Sequence, residues 1–313
     1  MLNSRVKIFS GEGNRALFLE VCEYLGIPGG TITHNSFADG ELYCRIEESV
    51  RGCDTFIIQP TCPPVNDNLM RLLITIDALK RASAGSVTAV IPYMGYSRQE
   101  KNMGREPITA KLVANIITNA GADRVLTVDL HESALQGFFD IPVDNLSASK
   151  ILAEHLAKRD LTNHVIVSPD TGGVLRARTF GRKLNLPIAI IDKRRPSSNK
   201  AVVMNVVGDV ADKHAIVVDD IIDTAGTLVG VAESLMNKGA KSVICCCTHA
   251  LLSDPAKELI PNSPVSEIIA TNSVPISGDK IKACLVKKLS LAPMLGEAIK
   301  RIYEKRSISD LFL

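Results

Sequence analysis

The stretch HAIVVDDIIDTAGTLVGVAESLMNKGA, residues 214–240, determines the predicted fold. Its apolar run at 215–218 is short, β-branched and uncharged, which is typical of a strand buried on both faces. The carboxylates of Asp219 and Asp220 come next, and a small-residue turn at 223–227 then leads into a helical pattern. A strand, a turn and a helix in this order place backbone N–H groups and a helix N-terminus around a phosphate.

The acid pair ahead of the turn separates two interpretations of this stretch. A βα turn capped by Asp or Thr is the simpler one. A carboxylate pair at this position can instead accept hydrogen bonds from the 2- and 3-hydroxyls of a ribose while the turn holds its 5-phosphate. The pair therefore favours a ribose phosphate site.

Composition excludes several classes of protein. The chain has 313 residues, 46% of them hydrophobic and 22% charged, which is enough for about two domains and argues against disorder. A net charge of +2 with scattered Lys and Arg does not indicate nucleic-acid binding. No apolar run approaches the roughly 20 residues that span a bilayer, and no secretory segment is evident. We expect a cytoplasmic protein that binds neither membrane nor nucleic acid.

The eight cysteines do not form a disulfide or zinc pattern. Cys245, Cys246 and Cys247 are consecutive within an apolar run, where neighbours point to opposite faces of a strand. No Cys-x-x-Cys pair occurs. Free, buried thiols are expected.

Strand-like runs alternate with helical patterns along nearly the whole chain, which predicts an α/β protein with parallel sheets flanked by helices. Two series of similar length suggest two related domains, residues 1–146 and 147–313, joined near 141–146. The four strands predicted in the second series lie at 164–168, 188–192, 215–218 and 242–247. The tail, 287–303, is predicted to be a helix. Ligands of such sheets bind beyond the carboxyl ends of the strands.

Two short clusters that follow predicted strands can hold a metal. Asp129 and His131 project from the same side if their strand continues that far, and a carboxylate with an imidazole can hold a metal directly or through its waters. The alternative is a helix N-cap at Asp129 with a surface histidine. Asp170 ends another strand, and Gly172 and Gly173 let the backbone turn tightly or approach a ligand closely. A plain turn is the alternative there.

Cations gather in two further segments. Lys193, Arg194 and Arg195 directly follow a buried strand. Such a cluster is usually a solvated face, but at the carboxyl end of a parallel sheet it can stabilise a phosphoryl transition state. The segment PYMGYSRQEKNMGREPITAK is polar and long for a crossover, which predicts a mobile active-site loop whose cations, Arg98 among them, bind phosphates.

The segment NSFADGELYCRI offers an aromatic ring and several acceptors. A purine can stack on Phe37, Asp39 and Glu41 provide acceptors, and Gly40 provides a bend. The alternative is a hairpin-like turn with Phe37 in the core.

Taken together and in order, these segments resemble the ribose-phosphate pyrophosphokinase family, and in particular its phosphate-regulated class. The acid pair and its turn also resemble the phosphoribosyl-pyrophosphate loop of type I phosphoribosyltransferases. The resemblance covers essentially the whole chain. It rests on the ordered motifs FADGE, ESVRGCD, DALKRASA, PYMGYSRQ, REPITAK, DLH with QGFFDIPVD, SPDTGG, IDKRRP, VVDDIIDTAGT and SISDLF.

The resemblance implies a transfer of pyrophosphate from ATP to the anomeric hydroxyl of ribose 5-phosphate. The products are AMP and 5-phospho-α-D-ribose 1-diphosphate, which supplies nucleotide, histidine and tryptophan biosynthesis. It also implies Mg²⁺ as cofactor, held at His131 and Asp170, with Lys193 and Arg195 as the catalytic cations. The implied ATP-binding residues are Phe37, Asp39, Glu41, Arg98 and Gln99. The implied ribose 5-phosphate-binding residues are Arg195, Asp219, Asp220, Asp223, Thr224, Ala225, Gly226 and Thr227.

The resemblance further implies a homohexamer with shared active sites and a site for phosphate or ADP between subunits. The corresponding residues are Ser49, Arg51, Ser307 and Ser309. The chain departs from the usual family pattern at Thr171, in the segment ESAL after DLH, in a slightly shorter mobile loop and at Asp310.

Three alternatives remain open at this stage. A type I phosphoribosyltransferase usually lacks the three ATP-side clusters FADGE, SRQ and KRR. A non-catalytic relative that regulates by co-assembly loses catalytic residues or gains insertions, whereas this chain retains Lys193, Arg195, His131 and Asp170. A plain nucleotide-binding module accounts for too few of the motifs.

Overall fold

The computed structural model describes residues 5–194 and 203–311. The chain divides into two compact units. The first comprises Met1–Ser147, Ser273–Pro275 and Ser290–Leu313, and the second comprises Ala148–Asn272 and Ile276–Leu289. The division near residue 147 agrees with the expected join, but the assignment of the whole tail to the second domain was wrong.

The first unit is built on a five-stranded parallel sheet in the order β1-β4-β5-β6-β7. Among the described residues of this unit, β2 and β3 form a separate antiparallel hairpin. The strands of this unit are β1 (Val6–Ser10), β2 (Ile32–Ser36), β3 (Leu42–Ile46), β4 (Asp54–Ile58), β5 (Ser86–Ile91), β6 (Arg124–Val128) and β7 (Val143–Leu146).

Helices of the first unit begin and end at recognisable signals. In the first of them the Asn14 side chain caps the N-terminus by accepting a hydrogen bond from the Leu17 N–H (3.2 Å), and Gly26 ends the helix in the left-handed conformation. These helices are α1 (Arg15–Leu25), α2 (Val65–Arg81) and α3 (Thr109–Asn119), with a short 3₁₀ helix at Ser133–Phe138.

The second unit contains a seven-stranded sheet in the order β10-β9-β8-β11-β12-β13-β14. All neighbours pair in parallel except β10, an antiparallel edge strand. The strands are β8 (His164–Ser168), β9 (Ile188–Arg194), β10 (Val203–Val207), β11 (His214–Ile222), β12 (Ser242–Ala250), β13 (Val265–Thr271) and β14 (Val286–Leu289). The helices are α4 (Ser149–Leu156), α5 (Val174–Leu184), α6 (Gly226–Asn237), α7 (Ala256–Leu259) and α8 (Gly278–Ala283).

The central strands of both sheets are buried on both faces, as their continuous apolar runs predict. In β8, for example, Val165, Ile166 and Val167 have no solvent exposure. The consecutive cysteines of β12 lie in this core, and all eight cysteines are free thiols. The predicted fold class, an α/β protein with parallel sheets flanked by helices, is confirmed.

The tail differs from its predicted single helix. Residues Val286–Leu289 form β14, which pairs in parallel with β13, and the helix that follows, α9, spans only Ala292–Tyr303. This helix packs on α1 and belongs to the first unit. Two adjacent lysines made residues 286–289 resemble a helical surface, but pairing at a sheet edge decides their conformation.

Candidate active site

The order of strands in the second sheet reverses between β8 and β11. From β8 the chain moves to β9 on one side, and later returns to place β11 on the other side of β8. In open α/β sheets, ligands bind beyond the carboxyl ends of the strands at such a reversal. Asp170 follows β8, and the acid pair lies near the end of β11.

The acid pair lies within β11 itself. The strand was predicted to stop at Val218, but it runs to Ile222 because pairing with β12 continues past the acids, with Asp219 opposite Cys247. The two carboxylates differ in exposure: the Asp219 side chain is 24% exposed and that of Asp220 is 5% exposed.

One guanidinium binds both acids. Arg176, in the first turn of α5, places Nη1 3.1 Å from Asp219 Oδ1 and Nη2 3.1 Å from Asp220 Oδ1. The Asp220 N–H also donates to Asp219 Oδ1 (2.9 Å). Arg176 was not predicted from the sequence, where it is only a cation in the first turn of a helix that follows a candidate strand end.

The pKa of the Asp219 carboxyl is raised to about 7. Burial is the largest cause, because it penalises the charged form. The hydrogen bond with Asp220 and its negative charge raise the pKa further, whereas Arg176 lowers it. The acid pair therefore contains a group that titrates near neutral pH.

The turn after β11 is not capped by Asp or Thr. The N-cap residue of α6 is Ala225, which has no capping side chain and adopts a left-handed conformation with φ 65°. Gly226 begins the helix, and a Cβ built there meets no atom within 4 Å. Thr224 and Thr227 are exposed on either side. The start of α6 is thus open in the way that the phosphate interpretation requires.

Asp170 organises the loop between β8 and α5. Its Oδ1 accepts a hydrogen bond from the Gly173 N–H (2.9 Å), and its carbonyl accepts one from the Ser168 hydroxyl (2.7 Å). Asp170 is half-buried. The alternative prediction of a plain turn is correct for the backbone. This turn also places the carboxylate of Asp170 at the end of β8.

The cation cluster is only partly described. Lys193 lies in β9, where its backbone pairs with Met204 of β10. Arg195 lies outside the described residues. The catalytic roles of both stay predictions.

In the first unit, the FADGE segment forms the turn of the β2–β3 hairpin. Phe37 N–H donates to the Glu41 carbonyl (2.8 Å), and Asp39 Oδ1 accepts from the Glu41 N–H (3.0 Å). The hairpin alternative is therefore correct, but its core position for Phe37 is wrong. The Phe37 ring is 58% exposed and touches Tyr43 edge to face, with the ring centroids 6.0 Å apart.

The remaining first-unit candidates occupy irregular segments. The premise that Asp129 and His131 share a strand is wrong, because β6 ends at Val128 and Asp129 has φ 42°. The N-cap alternative is also wrong, because the N-cap of the following 3₁₀ helix is Glu132. Arg98 is exposed, and Gln99 Oε1 accepts a hydrogen bond from the Thr109 hydroxyl (2.6 Å).

The residues of the predicted effector site are exposed in the first unit. The Ser307 hydroxyl donates to the Ser309 Oγ (3.0 Å), and Arg301 Nη1 donates to the Ser307 carbonyl (3.2 Å). Ser49 and Arg51 lie in the segment between β3 and β4, where Arg51 forms an isolated β-bridge with Ala84. Within residues 5–194 and 203–311, no group of three His, Cys, Asp or Glu side chains could hold a metal by itself.

The sheet reversal, the acid pair and the open helix start place this chain among the α/β proteins that gather polar groups at the carboxyl ends of a parallel sheet. Two family models match the chain: one described as the N-terminal domain of ribose phosphate pyrophosphokinase matches residues 6–121, and one described as the phosphoribosyl synthetase-associated domain matches residues 193–313.

Relatives match over nearly the full length. A ribose-phosphate pyrophosphokinase from Clostridium tetani is 54% identical over 98% of this chain and 97% of its own length. One from Nostoc is 53% identical over 99% of this chain and 94% of its own length. The solved phosphoribosylpyrophosphate synthetase of Mycobacterium smegmatis is 42% identical, covers 96% of this chain and 99% of its own, and superposes with a TM-score of 0.91. The chain belongs to the ribose-phosphate pyrophosphokinase family, whose function is to form phosphoribosyl pyrophosphate from ATP and ribose 5-phosphate.

Proposed function

We propose that the second unit binds ribose 5-phosphate at the carboxyl end of its sheet. The observation that carries this assignment is the acid pair at the reversal, held by one guanidinium and followed by an open helix start. The N–H groups at the start of α6 hold the 5-phosphate. The hydroxyls of Thr224 and Thr227 add donors beside it, and Asp219 accepts from a ribose hydroxyl.

The hairpin turn and the loop after β5 in the first unit bind ATP. The exposed ring of Phe37 offers a face for stacking a purine. The carboxylates of Asp39 and Glu41 accept from donors on the nucleoside, and the guanidinium of Arg98 binds phosphate oxygens. Gln99 is oriented for such a role by its hydrogen bond from Thr109.

The reaction is a displacement at the β-phosphorus of ATP. The anomeric oxygen forms the new P–O bond, the bond between that phosphorus and the α,β-bridging oxygen breaks, and AMP leaves. The hydroxyl proton passes to solvent. The protein contributes positioning and charge neutralisation, and the cations of Lys193 and Arg195 neutralise the charge that develops on the transferred group.

Magnesium fits the donor atoms of the candidate site. Asp170 presents a half-buried carboxylate with one oxygen fixed by the Gly173 N–H, and Mg²⁺ is commonly held through one or two carboxylates together with substrate phosphates. We propose Asp170 as a magnesium-binding residue of the second unit and His131 as one of the first unit. When bound, Mg²⁺ neutralises phosphate charge.

The test of the function is product analysis. Purified protein with ATP, Mg²⁺ and ribose 5-phosphate should form AMP and phosphoribosyl pyrophosphate in equal amounts, and no AMP without the sugar phosphate. Formation of ADP would contradict pyrophosphate transfer. A folded, self-associated protein that forms no AMP would support the non-catalytic regulatory relative.

Self-association is proposed on an apolar row along α3. Leu112 and Ile116 share one face of α3, Ile108 is the N-cap residue four positions before Leu112, and all three are exposed. A monomer rarely exposes such a row without a partner. Sedimentation should show a homohexamer for the native chain and a smaller species for Leu112→Glu, and a native monomer would contradict this proposal.

Regulation and location are proposed as well. Phosphate and ADP are proposed as effectors that bind at Ser49, Arg51, Ser307 and Ser309, which activity measured against added phosphate and ADP would test.

No described helix is long and apolar enough to cross a membrane. The eight unpaired thiols support a reducing compartment, the cytoplasm, and fractionation of cells would test it.

A further inference from the structure

We propose that Arg176 is a positioning residue for ribose 5-phosphate: its two guanidinium arms hold the Asp219–Asp220 pair so that Asp219 is presented as an acceptor. This inference rests on the proposed ribose 5-phosphate site. It adds a residue that neither the motifs nor the proposed roles include.

The geometry of a strand shows what this clamp does. Successive side chains of a strand point to opposite faces, so the carboxylates of Asp219 and Asp220 would by themselves diverge. Instead, the Oδ1 atom of each carboxylate lies 3.1 Å from a different terminal nitrogen of the Arg176 guanidinium. The planar, two-armed guanidinium suits this double contact, whereas a lysine ammonium offers a single point charge.

The two carboxylates of the acid pair differ in burial, and this difference gives them different roles. The Asp220 side chain is only 5% exposed, so its contact with Arg176 anchors the guanidinium in the interior. The Asp219 side chain is 24% exposed and remains within reach of a ligand. Arg176 lies on α5, the helix that follows β8, and contacts β11, so the clamp joins the helix after one strand of the reversal to the other strand.

The charges around Asp219 make the clamp testable by pH. Asp220 raises the pKa of Asp219 and Arg176 lowers it. The thiols of Cys245 and Cys247 on β12 also lie near Asp219, and burial raises the pKa of both well above the usual value, so they are neutral near pH 7. Removing Arg176 must therefore raise the pKa of Asp219 and reduce its ionised, accepting fraction at neutral pH.

The experiment compares Arg176→Gln, which removes the charge, with Arg176→Lys, which keeps it but loses the second arm. Arg178→Gln is the matched control, because Arg178 lies on the same helix with an exposed side chain. For Arg176→Gln we expect the KM for ribose 5-phosphate to rise several-fold at pH 7, because a smaller fraction of Asp219 is then ionised, with a smaller change in the KM for ATP. The acidic limb of kcat/KM for ribose 5-phosphate should move to higher pH. Arg176→Lys should fall between Arg176→Gln and the native enzyme, and Arg178→Gln should match the native enzyme.

A native KM and an unmoved acidic limb in folded Arg176→Gln would overturn the proposal. Should that variant not fold, Arg176→Lys decides: a native KM for ribose 5-phosphate would contradict the two-armed clamp, and a selective rise would support it. Calorimetric titration of ribose 5-phosphate into the native protein separates this proposal from the reaction. Binding without AMP formation refutes the proposed catalysis, while the loss of binding in Arg176→Gln still tests the clamp.

Discussion

The two sheets share a parallel architecture but differ in how the chain winds through them. In the first unit the order β1-β4-β5-β6-β7 proceeds in one direction, whereas the second unit reverses between β8 and β11. At the reversal the polar groups are partly buried and fixed by ion pairs and hydrogen bonds. In the first unit, which lacks a reversal among its described strands, the residues proposed to bind ATP have exposed side chains on a hairpin turn and a long loop.

The difference shows that topology and loops supply ligand contacts in different ways. A reversal separates adjacent strand ends, so that a ligand can reach groups held by rigid elements. Without it, contacts must come from added segments such as the β2–β3 hairpin, whose side chains are less constrained. We therefore expect substitutions near the reversal to affect the sugar phosphate and those on the hairpin to affect ATP.

The largest effect should come from Lys193 at the end of β9. Lys193→Ala should lower kcat by about 10²–10³-fold, because a cation that neutralises transition-state charge is lost, while the KM for ribose 5-phosphate changes little. Lys241→Ala is the control, since this exposed lysine precedes β12 at the opposite end of the same sheet. Steady-state kinetics measures both, and an unchanged kcat would remove Lys193 from the chemistry.

A substitution on the β2–β3 hairpin is expected to change the KM for ATP selectively. Phe37→Ala should raise the KM for ATP about tenfold, because stacking of a base on an aromatic ring contributes about 1–3 kcal/mol. Thermal stability should be retained because the ring is mostly exposed. Phe37→Tyr keeps the stacking face and should behave as the native enzyme. An increase in the KM for ribose 5-phosphate alone would reverse the assignment of the two units.

The open helix start gives a sharper test of the phosphate site. Gly226→Val should raise the KM for ribose 5-phosphate about fivefold, a loss of about 1 kcal/mol, because the new side chain enters the space where phosphate binds. Gly278→Val is a matched control: Gly278 also begins a helix of the second unit, and a Cβ there also meets no atom within 4 Å. If both variants bind ribose 5-phosphate like the native protein, the phosphate assignment is wrong.

The smallest effect should come from an ion pair away from the acid pair in the second unit. Arg159 binds Glu267 through both carboxylate oxygens, at 2.5 and 2.9 Å, and lowers the pKa of that carboxyl. Because the folded pKa is lowered, the pair stabilises the protein above the usual value of about 4.3 and loses this effect as the pH falls through the folded pKa.

Glu267→Gln should therefore lower the free energy of unfolding by about 0.5–1 kcal/mol at pH 7, a modest value for a partly exposed pair. The difference from the native protein should shrink in acid. Denaturant unfolding at several pH values measures it, with Arg159→Gln and the double variant completing a cycle. Both KM values should be unchanged, and a change in either would extend the site beyond the reversal.

The local sequence pattern was sufficient to predict an element where a single strong signal, such as a continuous apolar run, was present. The apolar run at 164–168 predicted β8 with its observed bounds. The pattern failed where pairing between strands outweighed it. Pairing with β12 continues β11 past its two acids, and pairing with β13 makes the lysine-containing segment β14 a strand. The role of Arg176 could not be predicted at all, because it depends on a helix and a strand that are 43 residues apart in the sequence.

The packing of α9 on α1 has a consequence for the order of folding during synthesis. The second unit is inserted within the first, whose last helix is made after β14 has emerged. Gly296 of α9 lies so close to Tyr24 of α1 that an added Cβ would be 2.3 Å from the ring. The nascent chain must therefore carry an uncovered patch on α1 while the ribosome translates the whole inserted unit, although N-terminal domains usually complete folding first.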